Sequence, residues 1–244
     1  MMGFGIDLAG YTTGKTALAF VEIEGGSVKA TLLRNSALSA TRKSTDNLQH
    51  VLDEEVAALW RCLALAPVAV DVPIDLQGLP TPKNPQHIWA LTLRPIDRAV
   101  RAMPAFADRI GAPVARFAAI MCKGNFGAVL GDKLFEAYPA ATLRMLKIKS
   151  GNYKGPKGAA ALMSLCKTLN IEPHVKSDDD IDSIVCAITA AAPAQEVHNA
   201  ETFNIEGPLP KGFRIPKNLT FDKIEVGEED FGGWMKNREV LRDV

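Results

Sequence analysis

Hydrophobic and polar positions follow two alternating rhythms along this chain. The opening run Met2-Gly3-Phe4-Gly5-Ile6-Asp7-Leu8-Ala9-Gly10 is apolar but for one carboxylate and breaks at glycine. It predicts a buried strand that delivers Asp7 to a sheet edge. Residues 16–24 and 27–33 are β-compatible runs joined through Glu24-Gly25-Gly26, the signature of a hairpin. After Ser44-Thr45-Asp46 the apolar spacing changes to three and four, through Leu48, Val51, Leu52, Val56, Leu59, Trp60 and Leu63. This predicts an amphipathic helix capped by Ser or Thr. Residues 67–73, short, β-branched and closed by Pro73, predict another buried strand with Asp71 at its carboxyl end.

Prolines and Gly78 make 74–85 a loop. A helix over 86–103, interrupted at Pro95, would carry Arg94, Asp97, Arg98 and Arg101 on one side, as a solvated face or as a face that meets phosphate. Residues 104–131 read as a helix and loop insertion. Residues 133–139 predict a strand with Glu136, followed by a helix to Lys147, a Gly, Lys and Tyr loop over 150–157, and a helix over 158–170. Ser177 and the acids behind it then open an apolar helix, where negative charge meets free N–H groups. Capping explains two of these acids. It does not explain Asp182, three residues past Asp179 on the same face. A short edge strand at 212–216 and a charged tail packed back through Trp234 complete the pattern.

Composition narrows the class. A chain of 244 residues, 47% hydrophobic and 23% charged, suits one α/β domain with an appendage. The formal net charge of +0 argues against a strongly basic nucleic-acid binder, and 7% aromatic content shows no stacking platform for single strands. Cys62, Cys122, Cys166 and Cys186 lack paired spacing and read as reduced thiols. No apolar run reaches the roughly 18 residues of a membrane span. The expectation is a cytoplasmic protein with no membrane partner.

The candidate chemistry lies in the acids. A buried carboxylate persists only when paired or holding a metal, so Asp7 either caps its turn or belongs to an ion site. Residues 9–16 also approach a phosphate-binding loop, A-x-x-x-x-G-K-T, which requires a helix after the lysine; the hairpin expected there instead would remove that reading. Several carboxylates at one sheet edge repel one another unless cations stand between them. Oxygen ligands without His or Cys select Mg²⁺ or Mn²⁺, and two such ions would serve in-line phosphodiester hydrolysis.

The motifs G-x-D-x-A-G from Gly5, V-A-V-D-V-P from Val68, R-P-x-D-R from Arg94, E-A-Y-P-A-A from Glu136, Tyr153-Lys154 and D-D-x-D-S-x-V-C-A from Asp179 together resemble a family of predicted nucleases with a ribonuclease H-like fold. That family is distantly similar to Holliday-junction resolvases. The resemblance covers about residues 3–216. It implies a mixed five-stranded sheet flanked by helices over 1–216; the chain's own pattern places an insertion near 74–131, and residues 217–244, which match nothing in the family, are expected as a C-terminal extension packed on the domain. It implies Asp7, Asp71, Asp179 and Asp182 as catalytic metal ligands, and Glu136 matches a family motif as a further ligand; with Mg²⁺ or Mn²⁺ as the ion, Arg98 and Lys154 are the candidate phosphate contacts. The expected activity is a two-metal nuclease acting on DNA or RNA, with a homodimer left open. Two alternatives stand beside it: a phosphoryl-transfer protein of the related sugar-kinase and actin class, binding ATP through Asp7, Gly10, Thr12 and Thr13, and a non-catalytic metal- or nucleic-acid-binding protein.

Overall fold

A computed structural model describes residues 1–11, 15–40, 42–43, 45–75, 94, 96–97, 111–148, 153–155, 158–171, 175–193, 211–216, 221 and 223–240, without the side chains of 159, 162, 239 and 240. Strands β1 (Met2–Asp7), β2 (Ala17–Glu24) and β3 (Ser27–Arg34) form an antiparallel meander. The β2–β3 turn is the predicted hairpin, with Gly25 at φ 54° and Gly26 at φ 82°. Successive positive φ values are what a two-residue turn needs to match strand twist, and glycine adopts them without strain. The phosphate-loop reading of 9–16 therefore fails, because a strand and not a helix follows Thr16.

β4 (Val68–Val70) and β5 (Leu134–Glu136) continue the sheet parallel to β1, in the order β5-β4-β1-β2-β3-β6. The sixth strand, β6 (Lys223–Asp230), pairs parallel with β3 over eight residues. The mixed sheet thus has six strands where five were expected, and the tail supplies the extra one. Its apolar alternation rests on Ile224 and Val226 alone, with acids and glycine between and after them. The 212–216 segment is not a strand of the sheet: Phe213 bridges the outer edge of β5 through Glu136 N to Gly212 O at 2.9 Å and Arg214 N to Glu136 O at 2.9 Å.

Helices cover both faces. Strand alternation sends Phe4, Ile6, Leu18, Phe20 and Leu33 to one side, against α1 (Leu48–Leu65), α2 (Gly111–Gly124) and Trp234 and Met235 of α6 (Phe231–Val240). Phe4, Phe20 and Trp234 pack ring on ring, with centroids 4.7 to 5.8 Å apart. Ala19, Val21, Val28, Ala30 and Leu32 face the other side, against Leu143 of α3 (Pro139–Met145), Leu165 of α4 (Ala159–Thr168) and the apolar stripe of α5 (Asp178–Ala191). α1 is capped by Asn47, which accepts from His50 N at 3.2 Å, in place of the expected Ser or Thr. Phe117 and Ile120 of α2 lie in the main core, so this part of the expected insertion is built into the first helical layer. Most of the helix expected over 86–103 lies outside the described residues. Among the described residues no helix is long and apolar enough to cross a membrane.

Candidate functional site

The period of a strand puts Gly3, Gly5 and Asp7 on one face of β1 and Phe4 and Ile6 on the other. The two glycines leave that face bare, and α5 lies directly on it. A Cβ at Gly5 would stand 2.0 Å from Ser183 O and 2.1 Å from Ala187 N, and one at Gly3 would stand 2.5 Å from Ala191 N. The close approach brings the first turns of α5 over Asp7, the next residue of the same alternation.

β4 runs parallel to β1 with Ile6 opposite Val70, and Asp71 N donates to Ile6 O at 2.8 Å. Asp7 and Asp71 are therefore neighbours at the carboxyl ends of adjacent parallel strands. From above them, Asp182 of α5 is buried, and its two oxygens are both engaged. Tyr153 Oη donates to Oδ1, and Lys154 Nζ lies 2.6 Å from Oδ2 and 3.7 Å from Asp71 Oδ2. Asp179, half-buried, stands one turn earlier on α5.

Each carboxyl in this group is shifted towards its neutral form. Burial, followed by the charges of Asp71 and Asp182, raises Asp7 well above the usual carboxylate range. Burial pushes Asp71 up to about 7, with Lys154 opposing and Asp182 and Glu136 adding to the rise. Asp179 is pushed up to about 6 by burial and then by Asp178 and Asp182. Asp182 is raised by burial despite Lys154 and Tyr153. Desolvation works against the Lys154 charge, yet Asp71 and Asp182 together raise its pKa. Behind the group, the buried Cys186 thiol is pushed well above its ordinary value by burial and by Asp71 and Asp7.

The other acids of the α5 opening have structural partners. Asp180 is buried against Arg34 at 2.6 and 3.1 Å and accepts from Lys176 N at 2.9 Å. Asp178 Oδ2 accepts from Gly155 N at 2.9 Å, which ties the Tyr153-Lys154-Gly155 turn to the helix. Ser177 accepts from Asp180 N, the cap that the sequence predicts.

Glu136, expected beside the aspartates, is on the opposite face. It pairs in register with Val70, whose side chain belongs to the first helical layer, while Asp71 is one residue out of phase. Its carboxylate is held by Arg94 at 2.5 and 2.9 Å and accepts from Ile74 N at 2.8 Å. Arg94 also bonds Asp97 and Asp75 O. Arg94 and Asp97 are each 1% exposed, so this pair forms neither a solvated face nor a phosphate-binding one. Arg98, Arg101, Thr12 and Thr13 lie outside the described residues. Sequence reasoning passed over Tyr153 as a site residue, although it adjoins Lys154 and is one of only three tyrosines.

A second buried network fixes the turn after β1. Arg116 of α2 bonds Glu55 at 2.5 Å, Thr16 Oγ1 at 2.9 Å, and the carbonyls of Ala9 and Leu38 at 2.7 Å each, and Tyr11 Oη donates to Glu55 at 2.7 Å. Such a pair holds geometry more than it adds stability.

Among the described residues no three His, Cys, Asp or Glu side chains are gathered as a ready metal cage. The all-oxygen donor set suits Mg²⁺ or Mn²⁺, and the mutual repulsion of its carboxylates is what a divalent cation relieves. Among the described residues that relief comes from the ammonium of Lys154, 2.6 Å from Asp182 Oδ2 and 3.7 Å from Asp71 Oδ2. Comparison with protein-family models, curated proteins and solved structures finds no match.

Proposed function

We propose that this chain is a Mg²⁺- or Mn²⁺-dependent nuclease of ribonuclease H-like fold, with its site formed by Asp7, Asp71, Asp179 and Asp182. The observation that carries this reading is the side-by-side placement of Asp7 and Asp71 at parallel strand ends, with Asp182 lowered onto them by α5. Four carboxylates with raised pKa values, two of them within 4 Å of the Lys154 ammonium, are an arrangement that costs stability unless it serves a ligand of opposite charge. The element order also supports it: a strand ended by Asp7, a hairpin, a helix, a strand ended by Asp71, and a late helix opened by acids.

Asp7, Asp71 and Asp179, with Asp182, would hold the cation. A bound ion supplies an activated water and charge neutralisation at the scissile phosphate. The chain's own part is to fix its donors on two adjacent strand ends and one helix, rigid elements that hold geometry better than loops do. Lys154 brings a positive charge that a phosphate oxygen can meet. The zero formal net charge favours a confined or structured nucleic acid over long duplex, whose nonspecific binding needs many basic contacts.

The test is Mn²⁺ calorimetry on wild type and Asp7→Asn, with cleavage of DNA and RNA panels assayed on the same samples. Wild type should bind the ion and cleave, and Asp7→Asn should lose both, with cleavage down by a factor on the order of 10³ or more. Undiminished cleavage by Asp7→Asn would refute this assignment.

A further inference from the structure

The Asp7 side chain faces α5, yet the peptide groups just past it are held from the opposite helical layer. Arg116 of α2 is 5% exposed and Glu55 of α1 is 0% exposed, a buried ion pair that joins the two helices. Arg116 makes five bonds, one for each N–H of a guanidinium: two to Glu55 Oε1, and one each to Ala9 O, Thr16 Oγ1 and Leu38 O. The other Glu55 oxygen accepts from Tyr11 Oη at 2.7 Å. Thr16 Oγ1 in turn accepts from Ala9 N at 3.0 Å. The N–H and the C=O of Ala9, two residues past Asp7, are thus both tied to this network.

We propose that Arg116 and Glu55 are positioning residues for the cleavage, fixing the backbone after β1 so that the Asp7 carboxylate keeps its place beside Asp71. The inference rests on the reading of these carboxylates as the catalytic site, and it concerns where Asp7 is held rather than what it binds. The ladders of the sheet end at this point: β1 pairs with β4 as far as Ile6 opposite Val70, and with β2 as far as Asp7 opposite Ala17. Past Asp7 the Arg116 network takes over from the sheet, gripping Ala9, Tyr11 and Thr16 on both arms of the connection. A buried ion pair is a poor device for stability, since apolar residues of similar volume generally serve as well or better. It is a good device for fixing geometry, because a guanidinium with every donor engaged has one orientation.

The experiment separates position from stability. Cleavage kinetics, urea unfolding and hydrogen exchange are measured on wild type, on Thr16→Val, which cuts the tie to Ala9 N, and on Glu55→Met/Arg116→Met, which replaces the pair as a unit. Glu22→Gln, which breaks the Arg238 pair elsewhere on β2, is the control and should keep wild-type kcat. The expected kcat falls about tenfold in Thr16→Val and on the order of 10²-fold in the double variant, with KM within about threefold of wild type. Amides of residues 8–11 should exchange faster in both variants. Wild-type kcat in a folded double variant would overturn the inference, and so would a loss of kcat no larger than the loss of folded protein. If the double variant does not fold, Thr16→Val decides alone, and unchanged kcat in it overturns the inference. An active wild type beside fully active variants removes only the role of the pair, whereas a wild type that cleaves no nucleic acid overturns the nuclease reading and this inference with it.

Discussion

Asp7 stands where a neutral residue would be more stable, and two consequences follow at the scale of single side chains. Asn in its place keeps the shape and removes one charge from a group of repelling carboxylates. Metal-free Asp7→Asn should therefore be more stable than wild type by about 1 kcal/mol, or on the order of 2–4 °C in Tm for a chain of this size, read by calorimetry in chelator. The second consequence concerns pH. Asp71, at about 7, and Asp179, at about 6, have folded-state pKa values raised above their unfolded ones. Between about pH 4 and 7 the folded chain then holds more protons than the unfolded chain, so this contribution to stability is present at low pH and is lost as pH rises through the folded values. Denaturation of the metal-free protein in urea at pH 5 and pH 7.5 checks the sign, and saturating Mn²⁺ should flatten the slope. Asp7 and Asp71 were legible in sequence because each interrupts an apolar run with a charge, and Asp182 because helix capping leaves it unexplained. The partners of Asp180 and Glu136 were not, since Arg34 and Arg94 reach them only through tertiary placement. The face taken by Glu136 depends on its register with Val70, which no local pattern reveals.

Among elements, the contact of β1 with α5 decides where the acids meet. Gly5 faces the α5 backbone so closely that one added methyl overlaps Ser183 O and Ala187 N, neither of which can move without the helix. Gly5→Ala should cost about 3 kcal/mol or more and shift α5 away from β1, weakening Mn²⁺ binding even though no ligand changes. Chemical denaturation and metal titration of the same variant read the two effects. Gly233→Ala, whose added methyl would meet only Asp230 Oδ1 at 3.8 Å, is the control expected to leave metal binding unchanged. The sequence showed both elements, one by its apolar run and one by its Ser177 cap. The closeness of their packing was hidden, because glycine in a strand fits a bulge, a bend or a near backbone equally well.

For the molecule as a whole, the tail is part of the sheet. Trp234 is 4% exposed and closes the aromatic cluster on Phe4 and Phe20, which ties α6 to the strand that carries Asp7. Trp234→Ala should cost about 3–5 kcal/mol in urea unfolding and lower Tm accordingly. Most strands and helices of the α/β plan were readable from periodicity, whereas β6 was not: an edge strand with one apolar face and a run of acids looks like a solvated tail. Its parallel pairing with β3 has a further consequence, for synthesis. Roughly 190 residues separate the two strands along the chain, which a ribosome adds in about 10 to 40 s. Throughout that interval the outer edge of β3 offers unpaired backbone groups to any neighbouring strand. Lys29 and Arg34 on this strand are the kind of charge that discourages such pairing, so the nascent protein carries its own protection against aggregation until β6 emerges.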